Sequence, residues 1–202
     1  MTCIVGLVDN GKVYIGADSA TTSGSRRIIR KNPKAIKRGE FVIGGAGVSV
    51  INNVMAHVTT IPPFYENQDS IDYLMNTFIP LFRTAIKEMG QMTVKDGVET
   101  TGNNFLIGFR GHLFRIGTDF SVLEPVDNFE SVGSGGHYAL GVLYATADSD
   151  MKPEERINQA LKCASYFDSH VYPPFEIESI ETEKGFNVDK IMDKANKMME
   201  ED

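Results

Sequence analysis

Cysteine is scarce: Cys3 and Cys163 are the only two among 202 residues. Two isolated thiols make neither a disulfide framework nor a zinc site. Positive charge is also short, with 20 Lys and Arg against 27 Asp and Glu, a formal charge of -7 and a sequence pI near 5.1. That balance argues against an electrostatic binder of nucleic acid. No apolar run approaches the roughly eighteen residues of a membrane span. The opening residues lack the basic and long apolar stretches of an export signal, so the expected location is the cytoplasm and no membrane partner is expected. There is no G-x-x-x-x-G-K-[ST] loop, so ATP binding of that kind is not expected, and nothing calls for a metal or cofactor. With no repeat and no linker, residues 1–202 read as one domain with room for a sizeable core.

What the chain does have begins at its first residues. "CIVGLV" and "KVYIGAD" flank Asp9-Asn10-Gly11, and an Asn-Gly pair between apolar runs predicts a hairpin. "FVIGGAG" (Phe41 to Gly47) reads as a buried strand ending in glycines, and "VSVINNVMAHV" continues as a helix. "SIDYLMNTFIPLFRTAIKEMG" predicts a long amphipathic helix with Ile71, Leu74, Phe78, Leu81, Phe82, Ala85 and Met89 near one face, kinked at Pro80. "QMTVKDGVETTG" reads as an exposed loop. Strands resume in "NFLIGFR", "LFRIG", "SVLEP" and "FESV". Helices follow in "HYALGVLYATA" and in "PEERINQALKCASYFDSHV", where Pro153 suits a first turn. The strand "FEIESIET" and a short polar helix over about 187–202 close the chain. Strand blocks alternating with helix pairs suggest packed sheets with helices outside.

An apolar strand at the amino end would hold the chain start at a fixed point. Removal of Met1 would expose Thr2, giving one residue a hydroxyl nucleophile and a free α-amine. A threonine hydroxyl needs an adjacent base. An α-amine, with a pKa of about 7.7–8.0 against about 10.4 for lysine, is suited to that task near neutral pH. Asp18 ends the second strand, which an antiparallel turn returns to the chain start; taken alone it is a turn former. Lys34 offers a cation within a basic run, Gly44, Gly45 and Gly47 offer backbone N–H groups for an oxyanion, and "GSGG" could set Ser134 beside the amine.

In order and spacing, "TCIVGLVDNGKVYIGADSATTSG", Lys34, "FVIGGAG" and "VGSGGHYALGVLYA" resemble the proteasome β-type family. The likeness is strongest to bacterial ring proteases of the HslV kind, among the N-terminal nucleophile (Ntn) hydrolases. The resemblance implies an α+β fold, a four-layer αββα sandwich of two antiparallel sheets. It implies a threonine-type endopeptidase in which Thr2 is the nucleophile and its freed amine the base. Asp18 and Lys34 become the ion pair beside Thr2, Gly45 or Gly47 the oxyanion donor, Thr22 a substrate-binding residue and Ser134 the holder of the amine. Asp168 takes the supporting-acid place, which an alignment two residues off would give to Tyr166. It further implies a homo-oligomeric ring, peptide or unfolded-protein substrates and a possible separate ATPase unfoldase. A side-chain pocket is expected near Thr22, Ala46 and Val48.

Val171 departs from the pattern, standing where a serine follows the supporting acid. A single methionine precedes Thr2, so activation is expected to need an aminopeptidase. Two other readings stay open: an inert scaffold or assembly subunit that keeps Met1, and a small-molecule amidohydrolase.

Overall fold

Asn10 and Gly11 both take positive φ, +48° and +76°, which turns the first strand, β1 (Ile4–Asp9), tightly back into β2 (Lys12–Asp18). The structure, a computed structural model, describes residues 2–65 and 67–181, so the expected helix over about 187–202 lies outside the described residues. Then come β3 (Ala20–Ser23), β4 (Arg26–Ile29), β5 (Ala35–Arg38) and β6 (Phe41–Ala46). A helical pair follows: α1 (Ser49–Asn53) running into a π-turn, then α2 (Ser70–Tyr73), a second π-turn and α3 (Ile79–Glu88). Next are β7 (Thr93–Lys95), β8 (Val98–Thr100), β9 (Asn104–Phe109), β10 (His112–Ile116), β11 (Val122–Leu123) and β12 (Phe129–Val132). The last described elements are α4 (Gly136–Ala145), α5 (Pro153–Phe167) and β13 (Phe175–Glu181).

Two antiparallel sheets form the centre, in strand orders β12-β1-β2-β13 and β11-β10-β9-β6-β5. Side chains alternate faces along a strand, and the core divides accordingly. Ile4, Val13, Ile15, Val42 and Leu106 fill the space between the sheets. Cys3, Val5, Leu7 and Tyr14 point the other way, onto Leu143, Ile157 and Leu161 of α4 and α5. Phe41, Ile43, Phe105 and Phe109 face Phe78 and Phe82 of the opposite helical layer. The Phe41 and Phe109 rings stack there with centroids 4.4 Å apart. The fold is therefore a four-layer αββα sandwich. The two sheets approach closely because glycines interrupt the inner faces: a Cβ at Gly44 would come within 2.5 Å of Ile4, and one at Gly108 within 2.5 Å of Val42.

Two elements differ from expectation. Leu74, Phe78, Phe82 and Ala85 are buried as predicted, but Ile71, Leu81 and Met89 are over a third exposed, while Ile79 and Ile86 are buried. The π-turn Leu74–Phe78 accounts for this. It places Pro80, which lacks an N–H, just past a widened turn, and the extra residue rotates the buried face. The expected loop after α3 is the hairpin β7–β8, turned on Asp96 (φ +52°) and Gly97 (φ +81°). Its strand side chains are largely exposed, so no apolar alternation marked it.

Candidate active site

The β1–β2 pairing brings residues 2 and 3 beside residue 18. Asp18 N–H donates to the Cys3 carbonyl at 3.2 Å, and Cys3 N–H donates back to Asp18 Oδ1 at 3.0 Å. Asp18 is fully buried, and its other oxygen accepts from Ala20 N–H at 2.9 Å and Tyr172 N–H at 3.4 Å. Backbone donors thus satisfy both oxygens of a fully buried side chain. Lys34, just before β5 of the second sheet, completes the set: its Nζ lies 2.8 Å from Asp18 Oδ1. The same ammonium donates to Thr2 Oγ1 at 2.9 Å. Burial pushes the Lys34 pKa down, and the Asp18 charge opposes that shift. The Asp18–Lys34 pair thus ties the two sheets together under the Thr2 hydroxyl.

The other side of Thr2 is built by the loop between β12 and α4. The Thr2 nitrogen donates to Ser134 Oγ at 3.3 Å, and Gly135 N–H donates to the Thr2 carbonyl at 3.3 Å. With Met1 attached this nitrogen is a peptide N–H; it stands where an α-amine would be after Met1 removal. Gly133 has φ +98°, and a Cβ there would lie 2.1 Å from the Thr2 carbonyl oxygen, so no other residue fits. Asp168 follows α5. Burial pushes its carboxyl up, but Ser134 and His170 outweigh that and hold it below the ordinary carboxylate range. Its Oδ2 is buried without a hydrogen-bond partner. Tyr166, the alternative for this place, is 83% exposed. Val171 is fully buried and packs over Gly135, where a Cβ would lie 2.8 Å from it.

Thr2, Asp18, Lys34, Ser134 and Asp168 therefore form one continuous cluster. The glycines divide. Gly44 is paired in the sheet, and Gly45 N–H donates to the Lys34 carbonyl at 3.4 Å, which commits it to the β5–β6 edge. Gly47, just past β6, has φ +135°, a backbone that side chains rarely adopt. Thr22 sits half-buried in β3, opposite Arg27 of β4, without a hydrogen bond into the cluster. Asn103 was not foreseen. It is fully buried, accepts from Val48 N–H at 2.8 Å and donates to the Val48 carbonyl at 3.1 Å, which pins the turn after Gly47. Its partner is 55 residues away, so no local pattern signals it.

A cavity of about 360 Å³ opens beside Lys34, walled by Ile36, Ile43, Gly45, Met55 and Phe105, with Arg30, Lys31 and His57 also lining it. Among the described residues no Asp or Glu lines it. The expected pocket positions Thr22, Ala46 and Val48 are not in its wall; the bare α-carbon of Gly45 and the α1 side supply it instead. Burial, with Asp18 and Asp168 adding to it, pushes the Cys3 thiol far above its usual range, which leaves it neutral and unreactive.

Comparisons with known proteins agree with the fold. No curated family profile matches the chain. It is 28% identical to the ATP-dependent protease subunit HslV of Lactobacillus leichmannii, over 91% of this chain and 99% of that one. It is 27% identical to the ATP-dependent protease subunit HslV of Caldicellulosiruptor saccharolyticus, over 81% of this chain and 89% of that one. In structure it is similar to Thiobacillus denitrificans BPH, with a TM-score of 0.75 at 22% identity over 90% of this chain and 98% of that one. That protein has also been solved in complex with epoxomicin. The chain is a divergent HslV-like protein of the Ntn-hydrolase fold. In this HslV-like chain no helix among the described residues is long and apolar enough to cross a membrane.

Proposed function

We propose that the protein is a threonine-type peptidase whose nucleophile is Thr2 once Met1 has been removed. The observation that carries the reading is the Lys34 ammonium 2.9 Å from Thr2 Oγ1, itself held 2.8 Å from buried Asp18. A cation donating to the hydroxyl favours its alkoxide character, and the low-dielectric surroundings strengthen the effect. In the proposed reaction Thr2 Oγ1 attacks the carbonyl carbon of a peptide bond while its proton passes to the α-amine. The oxyanion is received by the N–H of Gly47, since that of Gly45 is already committed to Lys34. The ammonium returns the proton to the leaving amine, the C–N bond breaks, and an ester on Thr2 remains. Water attacks that ester with the amine again as base, releasing the acid and restoring Thr2.

The names of the relatives support a peptidase, and a partner ATPase on a separate chain fits the lack of a phosphate-binding loop here. A ring of identical subunits belongs to the same proposal. The cavity beside Lys34 is suited to a large apolar side chain on the residue before the cleaved bond, and its cations disfavour Lys or Arg there.

The test is intact mass before and after incubation with an epoxyketone, which captures a threonine hydroxyl and its amine together. Loss of Met1 with a one-to-one adduct on Thr2 is expected, and Thr2→Ala should take no adduct and hydrolyse no peptide while still folding. A native chain that keeps Met1 and takes no adduct makes this a scaffold.

A further inference from the structure

His170 stands beside the site without a part in the chemistry above. Its backbone N–H donates to Asp168 Oδ1 at 2.9 Å, and its ring Nδ1 lies 3.0 Å from the same oxygen. Asp168 Oδ2 is buried without a hydrogen-bond partner, and Ser134 is near enough to help lower the Asp168 carboxyl's pKa. Ser134 Oγ accepts from the Thr2 nitrogen, so its own hydrogen is free to point to Asp168. We propose that His170 is a positioning residue whose charge, passed through Asp168 and Ser134, sets how firmly the Thr2 amine holds a proton.

The physical basis is a balance of charge in a poorly solvated place. The Asp168 side chain is 9% exposed and the His170 ring 33% exposed, so one end of the relay is dry and the other reaches solvent. A carboxylate whose charge is unshared favours the ammonium form of the amine. An imidazolium at Nδ1 shares that charge and weakens the pull. The other groups near the relay are the Lys34–Asp18 pair on the sheet side and Cys3 just before β1, neutral through burial. Ser169 Oγ also faces the His170 ring, at 3.4 Å, and carries no charge. His170 is thus the member of the relay that solvent can reach.

The inference rests on the threonine reading, and the experiment separates the two. His170→Gln holds the position neutral at every pH, and His170→Lys holds it charged; both keep the backbone N–H on Asp168. In the Met1-free protein, competitive acetylation of the α-amine across about pH 5 to 9, read by mass spectrometry of the N-terminal peptide, gives the amine's pKa. The expected result is a pKa about 0.5 lower in the Lys variant than in the Gln variant. The acid limb of peptide hydrolysis should move the same way between the two variants. Equal amine pKa values in the two variants, with the epoxyketone adduct on Thr2 intact, overturn this inference alone. A chain without a free Thr2 amine, or without the adduct, overturns the threonine reading and this inference together.

Discussion

The two ends of β2 each carry a lysine–carboxylate pair, and they have little else in common. At the hairpin end Lys12 lies 3.5 Å from Glu181, with side chains 31% and 77% exposed. At the other end Lys34 lies 2.8 Å from Asp18, with side chains 2% and 0% exposed. The first pair is two flexible ends meeting in water. The second has three backbone N–H groups fixing the acid and a hydroxyl waiting on the base. What makes a charge pair able to do chemistry here is the rigid frame that excludes water from it, since the residue types are nearly the same at both ends.

The largest effect should come from breaking the buried pair. Lys34→Met leaves Asp18 without its partner in a dry site, and the loss of one member of such a pair costs about 3–5 kcal/mol. Chemical denaturation should show that loss, and peptide hydrolysis should fall to background in whatever fraction stays folded. Combined with Asp18→Asn the two losses should be far from additive, because the second change removes the carboxyl group the first one stranded. Additive losses would mean the two groups are not coupled, and the contrast between the ends of β2 would collapse.

Much of this site could be read in the sequence because β structure converts local order into proximity. The Asn10-Gly11 turn dictates that residue 18 comes back to residues 2 and 3, and the register bears this out with Ile4 opposite Ala17. Lys34 and Ser134 stood among several candidates that only family likeness singled out, since each reaches Thr2 from a distant part of the chain. Asn103 and the carbonyl-crowding role of Gly133 were not legible at all. Their partners are backbone atoms far along the chain, and backbone leaves no mark in composition or period. In the helical layer the failure had another cause: one π-turn broke the 3.6-residue phase, so Ile79 and Ile86 took the buried places assigned to Ile71 and Leu81.

A middle-sized effect should separate the two glycines at the active end of the fold. At Gly47 an added Cβ would lie 2.6 Å from Asn103 and 2.8 Å from the Gly102 carbonyl, with φ at +135°. Gly47→Ala should therefore cost about 1–3 kcal/mol of stability and lower kcat by about 10²–10³ if its N–H receives the oxyanion. At Gly45 the added carbon would meet the Asn52 side chain at 2.4 Å and the Phe105 ring at 2.7 Å, both in the cavity wall. Gly45→Ala should accordingly act on which side chain is accepted, raising KM for large residues more than it lowers kcat. If Gly45→Ala proves the kcat variant instead, the oxyanion donor has been assigned to the wrong glycine.

The smallest effect belongs to the exposed end. Lys12 has its pKa raised, chiefly by Tyr14 beneath it (5.1 Å from the ring centre) and less by Glu181. A base whose folded pKa is raised contributes its stability at every pH below the unfolded lysine value, and loses it only as pH climbs through the folded one. Between about pH 5 and 9 its contribution is therefore constant, and water and salt screen it almost to nothing. Lys12→Met should leave the melting temperature unchanged across that range and in high salt, in the same assay where Lys34→Met lowers it sharply. A measurable, salt-sensitive drop on losing Lys12 would show that the hairpin end is more ordered than its exposure implies, and that burial alone does not divide the two pairs.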